Sequence, residues 1–198
     1  MKKFFLIAVA ACVALASCTK NEVAPSDPQE ITYQTVETKA ADSFDTGNKF
    51  ISYAFMLPAG HNWASDHSAS SEYISNETIY FQTDRWKAAK TFYWPKQGSL
   101  TFFAWTINTS TPQLTGASVG CTNTEGITVN SYDITENKNV DFLVADVVAD
   151  ENANTSNAGG TWEKGVPTVF KHALSKLEFI VKTVKNSADY NYDTDNVT

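Results

Sequence analysis

From Ile31 onward the chain never sets apolar residues at helical spacing for three turns. Short segments rich in Val, Ile, Thr, Phe, Tyr and Trp recur instead between clusters of Asn, Asp, Gly, Ser and Pro. Lacking a helical apolar stripe, such segments bury their side chains by pairing as strands, so the pattern predicts an all-β chain, an antiparallel β-sandwich. Strands are expected near 31–38, 49–57, 77–83, 91–94, 99–107, 139–147, 166–171 and 176–184. In the last, Leu177, Phe179 and Val181 alternate with Glu178 and Lys182, as in a half-buried strand. Phe50 to Leu57 and Leu100 to Ile107 are apolar on both faces. They read as central strands of a sandwich, or as strands whose second face meets another segment or subunit. Residues 59–72, 108–131 and 150–165 are rich in polar residues and glycine and read as loops or a surface hairpin, the second with room for one edge strand.

The first 30 residues obey different rules. Lys2 and Lys3 precede an apolar run from Phe4 to Ala16, and the run closes on Leu15-Ala16-Ser17-Cys18. A charged start, a short apolar core and small residues before the cut make a cleaved signal helix, residues 1–17, too short to span a bilayer in the mature chain. This start resembles that of bacterial lipoproteins, which implies an acyl anchor on Cys18 and, with Thr19 following, sorting to the outer membrane. Residues 18–30, polar with Pro25 and Pro28, read as a flexible tether. Cys12 leaves with the signal and Cys18 is acylated, so Cys121 has no partner for an intramolecular disulfide and stability must come from packing. An aromatic content of 13% is ample for that.

The residues point away from several chemistries. Without Lys2 and Lys3 the chain keeps 13 basic against 22 acidic residues and no Lys/Arg cluster, so nucleic acid is excluded as a partner. His61 and His67 share a loop with Asp66 and Glu72, but their spacing fits no helical or tight-turn ligand pair, and a solvated loop is the better reading; no metal is assigned. Asp146, Asp150 and Glu151 lie where a strand runs into a loop, a common place for solubilising acids. The Gly-x-Ser-x-Gly, phosphate-loop and His-Glu-x-x-His patterns do not occur in the sequence. No catalytic residue and no cofactor is assigned, and the chain is not expected to be an enzyme.

Three patches carry a family resemblance. They are Thr91-Phe92-Tyr93-Trp94-Pro95 with Leu100 to Trp105, then Val140-Asp141-Phe142-Leu143-Val144-Ala145, then Val169-Phe170-Lys171-His172-Ala173-Leu174-Ser175-Lys176-Leu177. Their order and spacing resemble the amino-terminal domain of fimbrillin-like proteins of the Bacteroidales, over residues 31–185. The resemblance implies a sandwich of transthyretin-like, Greek-key type, with Tyr93, Trp94, Pro95, Asp141, Leu143, Phe170, His172 and Leu174 as its structural motif residues. Read physically, Tyr93 and Trp94 cap a sheet end before Pro95 stops the strand. His172 packs or hydrogen-bonds at a chain reversal, and Asp141 caps a loop or bonds backbone amides.

The resemblance further implies a surface pilus subunit or pilus-associated adhesin, with other pilin subunits as partners. In such proteins a cut after a basic residue removes the acylated segment and a first strand, and a neighbour's strand fills the groove. Lys39-Ala40 stands where that cut would fall; alternatively Lys39 is an exposed loop lysine and the lipid stays on. Residues 186–198 are a polar, acidic tail in which no donor strand is visible, so the chain is expected to be either a fragment short of a second domain or an acceptor-only subunit. A second functional reading is a non-polymerising lipoprotein that binds surface glycans, with Trp63, Trp86, Trp105 and Trp162 as stacking faces, although tryptophan in a β domain is more often core.

Overall fold

The computed structural model describes residues 28–35, 44–153 and 165–174. Eleven strands carry the fold: β1 (Tyr33–Thr35), β2 (Lys49–Leu57), β3 (Ser71–Gln82), β4 (Arg85–Ala88), β5 (Ser99–Thr109), β6 (Ser118–Thr122), β7 (Gly126–Asn130), β8 (Leu143–Ala145), β9 (Val148–Glu151), β10 (Val166–Thr168) and β11 (Phe170–His172). One helical turn, α1 (Trp63–Asp66), runs into a 3-10 turn at His67–Ala69. The chain is therefore all-β and sandwich-like. The signal helix, Cys18, Lys39, Ala40, the strand expected at 176–184 and the acidic tail lie outside the described residues.

Nine strands form one sheet in the order β10-β1-β4-β3-β2-β5-β8-β11, with β9 pairing the other half of β5. The path begins at β10 and ends at β11, and only Val169 separates these two in the chain. The sheet thus wraps round on itself, and its inner faces enclose one cluster to which all nine strands contribute, β9 through the partly buried Val148. Phe50, Ala54, Ile79, Trp86, Leu100, Phe102, Leu143, Val166 and Phe170 are among its members. All pairings in this sheet are antiparallel except β1 with β10, where Tyr33, Gln34 and Thr35 face Val166, Pro167 and Thr168 in parallel. Parallel neighbours need a long crossover, and here most of the domain lies between them in sequence.

The period-2 alternation of β2 and β5 explains why both are apolar throughout. Phe50, Ala54, Leu100, Phe102 and Ala104 point inward, while Ile51, Tyr53, Phe55, Phe103 and Trp105 point to the opposite face. That outer face is covered by the chain's own β6–β7 hairpin, the turn at Trp63, and Leu114 and Phe142. The second face of the central strands therefore meets another segment, one of the two options their sequence left open.

Three expectations are corrected. Residues 91–94 are not a strand: they carry the chain from β4 to β5 and form a single bridge, Tyr93 to Glu30. The strand at Arg85–Ala88 takes their place, too short for its alternation to stand out. Residues 59–72 are not all loop, because Asn62 caps α1 by accepting from Ser65 N at 3.1 Å, and β3 already begins at Ser71. Residues 108–131 hold two strands rather than at most one. Val119, Cys121, Ile127 and Val129 give β6 and β7 enough apolar surface to pack on the outer cluster.

Candidate functional site

The amino-terminal strand is seated between two flanks, and its surroundings bring the sequence-predicted residues together. On one flank Ile31 N donates to Phe92 O at 2.8 Å, Trp94 N donates to Gln29 O at 2.9 Å, and Tyr33 pairs with Trp86. On the other, Val166 N donates to Thr32 O at 2.7 Å at the head of the parallel ladder. Ile31, Thr32 and Tyr33 are each only 3% exposed. The Tyr33 ring stands edge-on to Phe50 at 5.5 Å and to Phe102 at 5.9 Å. Its hydroxyl is buried beside Ser52 without a bond of full geometry, and burial pushes its pKa well above the ordinary phenol value, with the Ser52 contact working the other way. Gly165 has φ +93, and a Cβ there would come within 2.7 Å of the Tyr33 carbonyl carbon, so only glycine lets the two backbones approach this closely.

The Tyr-Trp-Pro segment forms part of the first flank. Trp94 enters the inner core against Phe102 at 5.6 Å, and its Nε1 has no hydrogen-bond partner. Tyr93 instead faces outward, 46% exposed, and its carbonyl accepts from Tyr73 Oη at 2.6 Å. Only one of the two rings therefore caps the core. Pro95 follows, half-buried.

The other two patches meet each other. β8 and β11 pair so that Leu143 faces His172 and Ala145 faces Phe170. Leu143 and Phe170 are buried, whereas Asp141 and His172 lie at the surface, with His172 Nδ1 at 2.6 Å from Asp141 Oδ1. Ala173 N donates to Phe142 O at 2.8 Å and Lys171 Nζ to Asp146 Oδ1 at 2.7 Å, lengthening the seam. Leu174 ends it, 47% exposed.

The remaining candidates are structural. Asp66 accepts from Asn62 N at 3.1 Å and from Ser65 Oγ at 2.9 Å, with His61 Nδ1 at 3.4 Å. Those bonds, the Asn62 amide first, hold its carboxyl below the usual range. His67 contacts Trp63 O at 3.1 Å. Asp150 sits at φ 59 and accepts from Trp63 N at 2.9 Å, tying α1 to β9, a tertiary role that its place in an acidic run hid. Among the described residues no group of three or more His, Cys, Asp or Glu is placed to hold a metal. Trp86 and Trp105 are each 5% exposed and Trp63 is partly buried, so none offers an open stacking face; Trp162 lies outside the described residues. Cys121 is free, and burial, with Glu72 adding to it, pushes its thiol up to about 12. Among the described residues no helix is long and apolar enough to cross a membrane.

The profile of the family described as fimbrillin-like matches residues 31–198. A solved structure of a fimbrial protein from Bacteroides vulgatus ATCC 8482 superposes with a TM-score of 0.56 at 17% identity, over 73% of this chain. The chain spans 45% of that protein's length. No curated protein matches the chain.

Proposed function

This chain belongs to the fimbrillin-like family, and from that premise we propose that it is a non-enzymatic, cell-surface pilus subunit that joins its neighbours by strand addition. The observation that carries the reading is the seat of the amino-terminal strand. Glu30 to Thr35 lie in the sheet between residues 86–94 and 166–168, yet are continuous with the segment that leads back to the tether. Loss of that strand would leave unpaired main-chain groups on both flanks and uncover Phe50, Trp86, Phe102 and Val166 at the floor. Two parallel rows of amides over an apolar trough are what an extended segment of another subunit needs.

In this proposal the chain reaches the outer membrane as a lipoprotein acylated on Cys18, and cleavage between Lys39 and Ala40 releases the anchor together with the strand. Other pilin subunits then supply the replacement strand. Mass spectrometry of the protein from assembled surface filaments tests this directly, with an amino terminus at Ala40 as the expected result. Copies that all begin at acylated Cys18, or cells whose filaments never contain the protein, would overturn it.

A further inference from the structure

The strand seat has a closed end, and the residue that closes it is not part of the strand. Phe44, partly buried, packs its ring against those of Trp86, Phe170 and Phe50, with centroids at 5.1, 5.2 and 6.0 Å. Trp86 pairs with Tyr33, and Phe170 follows β10 in the chain, so this ring stands at the Thr35 end of β1. Its hold comes from the other direction. Gly47 N donates to Asp45 Oδ1 at 2.7 Å and Asn48 N to Asp45 O at 2.9 Å, a tight turn that joins Phe44 to β2. Asn48 Nδ2 donates to Asn108 Oδ1 at 2.9 Å and ties that turn to the end of β5.

The row of side chains that the seat holds is graded in size. Ile31 and Tyr33 are buried in the inner cluster, and by strand alternation Thr35 is the next residue on that side. Along the parallel ladder Val166 pairs with Tyr33 and the buried Thr168 pairs with Thr35, and Phe170, two residues on, stacks against Phe44. Two large side chains are thus followed by a small one where Phe44 takes the room. A close-packed interior cannot hold a second large group there without displacing the first.

We propose that Phe44 is a retained end-stop of the seat and selects the strand that fills it, an inference that rests on the strand-addition reading above. A cut between Lys39 and Ala40 removes Ile31, Tyr33 and Thr35 but leaves Phe44, with its turn, on the mature chain. The ring then keeps the Phe170 end of the trough covered while the places of Ile31 and Tyr33 stand open. The segment that enters is a strand of another subunit with two large apolar residues at alternate positions, one of them in the slot between Phe50 and Phe102 that the Tyr33 ring now fills. At the next alternate position, against Phe44, it carries a small residue such as Thr, Ser, Ala or Gly, in whichever direction the strand runs. A strand with three large residues in that row is refused.

A double-mutant cycle on the full chain tests the stop without any need for filaments. Thr35→Leu is expected to lower the folding constant about tenfold or more, read from urea unfolding, and Phe44→Ala likewise. Together they are expected to fall short of the product of their separate effects by about fivefold or more, because the leucine fills the space that the ring leaves. Strictly multiplicative effects, or a Thr35→Leu variant as stable as the parent, would overturn the inference. Should Phe44→Ala fail to fold, Phe44→Val takes its place in the cycle. Cross-linking mass spectrometry of surface filaments tests the selection. Lys87, which lies on the β4 flank with its Nζ 3.7 Å from Glu30, is the reporter, because it loses that partner with the strand. The neighbouring subunit's segment cross-linked to it is expected to show the row of two large residues and a small one, and a row of three large residues would overturn the inference. Absence of any cross-link to another subunit would instead overturn strand addition, and the cycle would still decide whether Phe44 bounds the seat.

Discussion

Tyr33 shows how one side chain reports on the amino-terminal strand. Its ring is well packed, but its hydroxyl is buried with only Ser52 beside it and no bond of full geometry. Tyr33→Phe keeps the ring contacts and removes the unpaired group, so it is expected to raise stability by about 1 kcal/mol at neutral pH, read as the urea midpoint. A loss of that size instead would mean that the hydroxyl is bonded. The same residue sets a pH dependence. Its folded pKa lies above the ordinary 10.0, so its contribution is complete below that value and is lost as pH climbs from there toward the folded pKa, where only the unfolded chain ionises. Tyr33→Phe should therefore lose less stability between pH 8 and about pH 11 than the parent; Tyr53 and Tyr73, also raised by burial, keep the slope from vanishing. The Asp141–His172 pair is close but surface-exposed. Asp141→Asn is expected to change stability by no more than about 1 kcal/mol, and a larger loss in thermal melts would assign the pair a greater role.

Among the elements, the junction of β1 with β10 is the most exacting. A methyl group at Gly165 would meet the backbone of Thr32 and Tyr33 at under 3.0 Å and would have to hold φ +93. Gly165→Ala is accordingly expected to cost about 2 kcal/mol or more and to speed amide exchange across Ile31–Thr35, as seen by mass spectrometry. Unchanged exchange there would show that the ladder tolerates a wider gap. Elements of this kind were unequally legible. The central strands were expected at 49–57 and 99–107 and are found at Lys49–Leu57 and Ser99–Thr109, because long runs apolar on both faces admit few other readings. β4 was hidden by its length, and α1 is a single turn whose cap is its main local signal. Residues 91–94 misled because their aromatic rings serve core and bridge rather than a ladder. The motif patches themselves stood out, but the meeting of Asp141 with His172 across 31 positions, and the seating of β1 against β10, depend on the closure of the sheet and leave no local trace.

For the molecule as a whole, β2 and β5 belong to both apolar clusters, one on each face. Neither cluster can come apart while those strands keep their places, so the domain is expected to unfold in one step. Trp86 and Trp94 report on the inner cluster, and Trp63 and Trp105 on the outer one. Fluorescence and near-ultraviolet dichroism should give coincident transitions, with matching calorimetric and van't Hoff enthalpies. Two separated transitions would show that the outer layer melts alone. Val169 gives this architecture a further property. It is the splice between the two margins of the sheet, so neither margin can fray by itself. Slack introduced at the β8–β11 seam is handed through a single residue to β10, and from there to the strand lying beside it. How firmly the leading strand is gripped is thus governed in part from the far side of the domain.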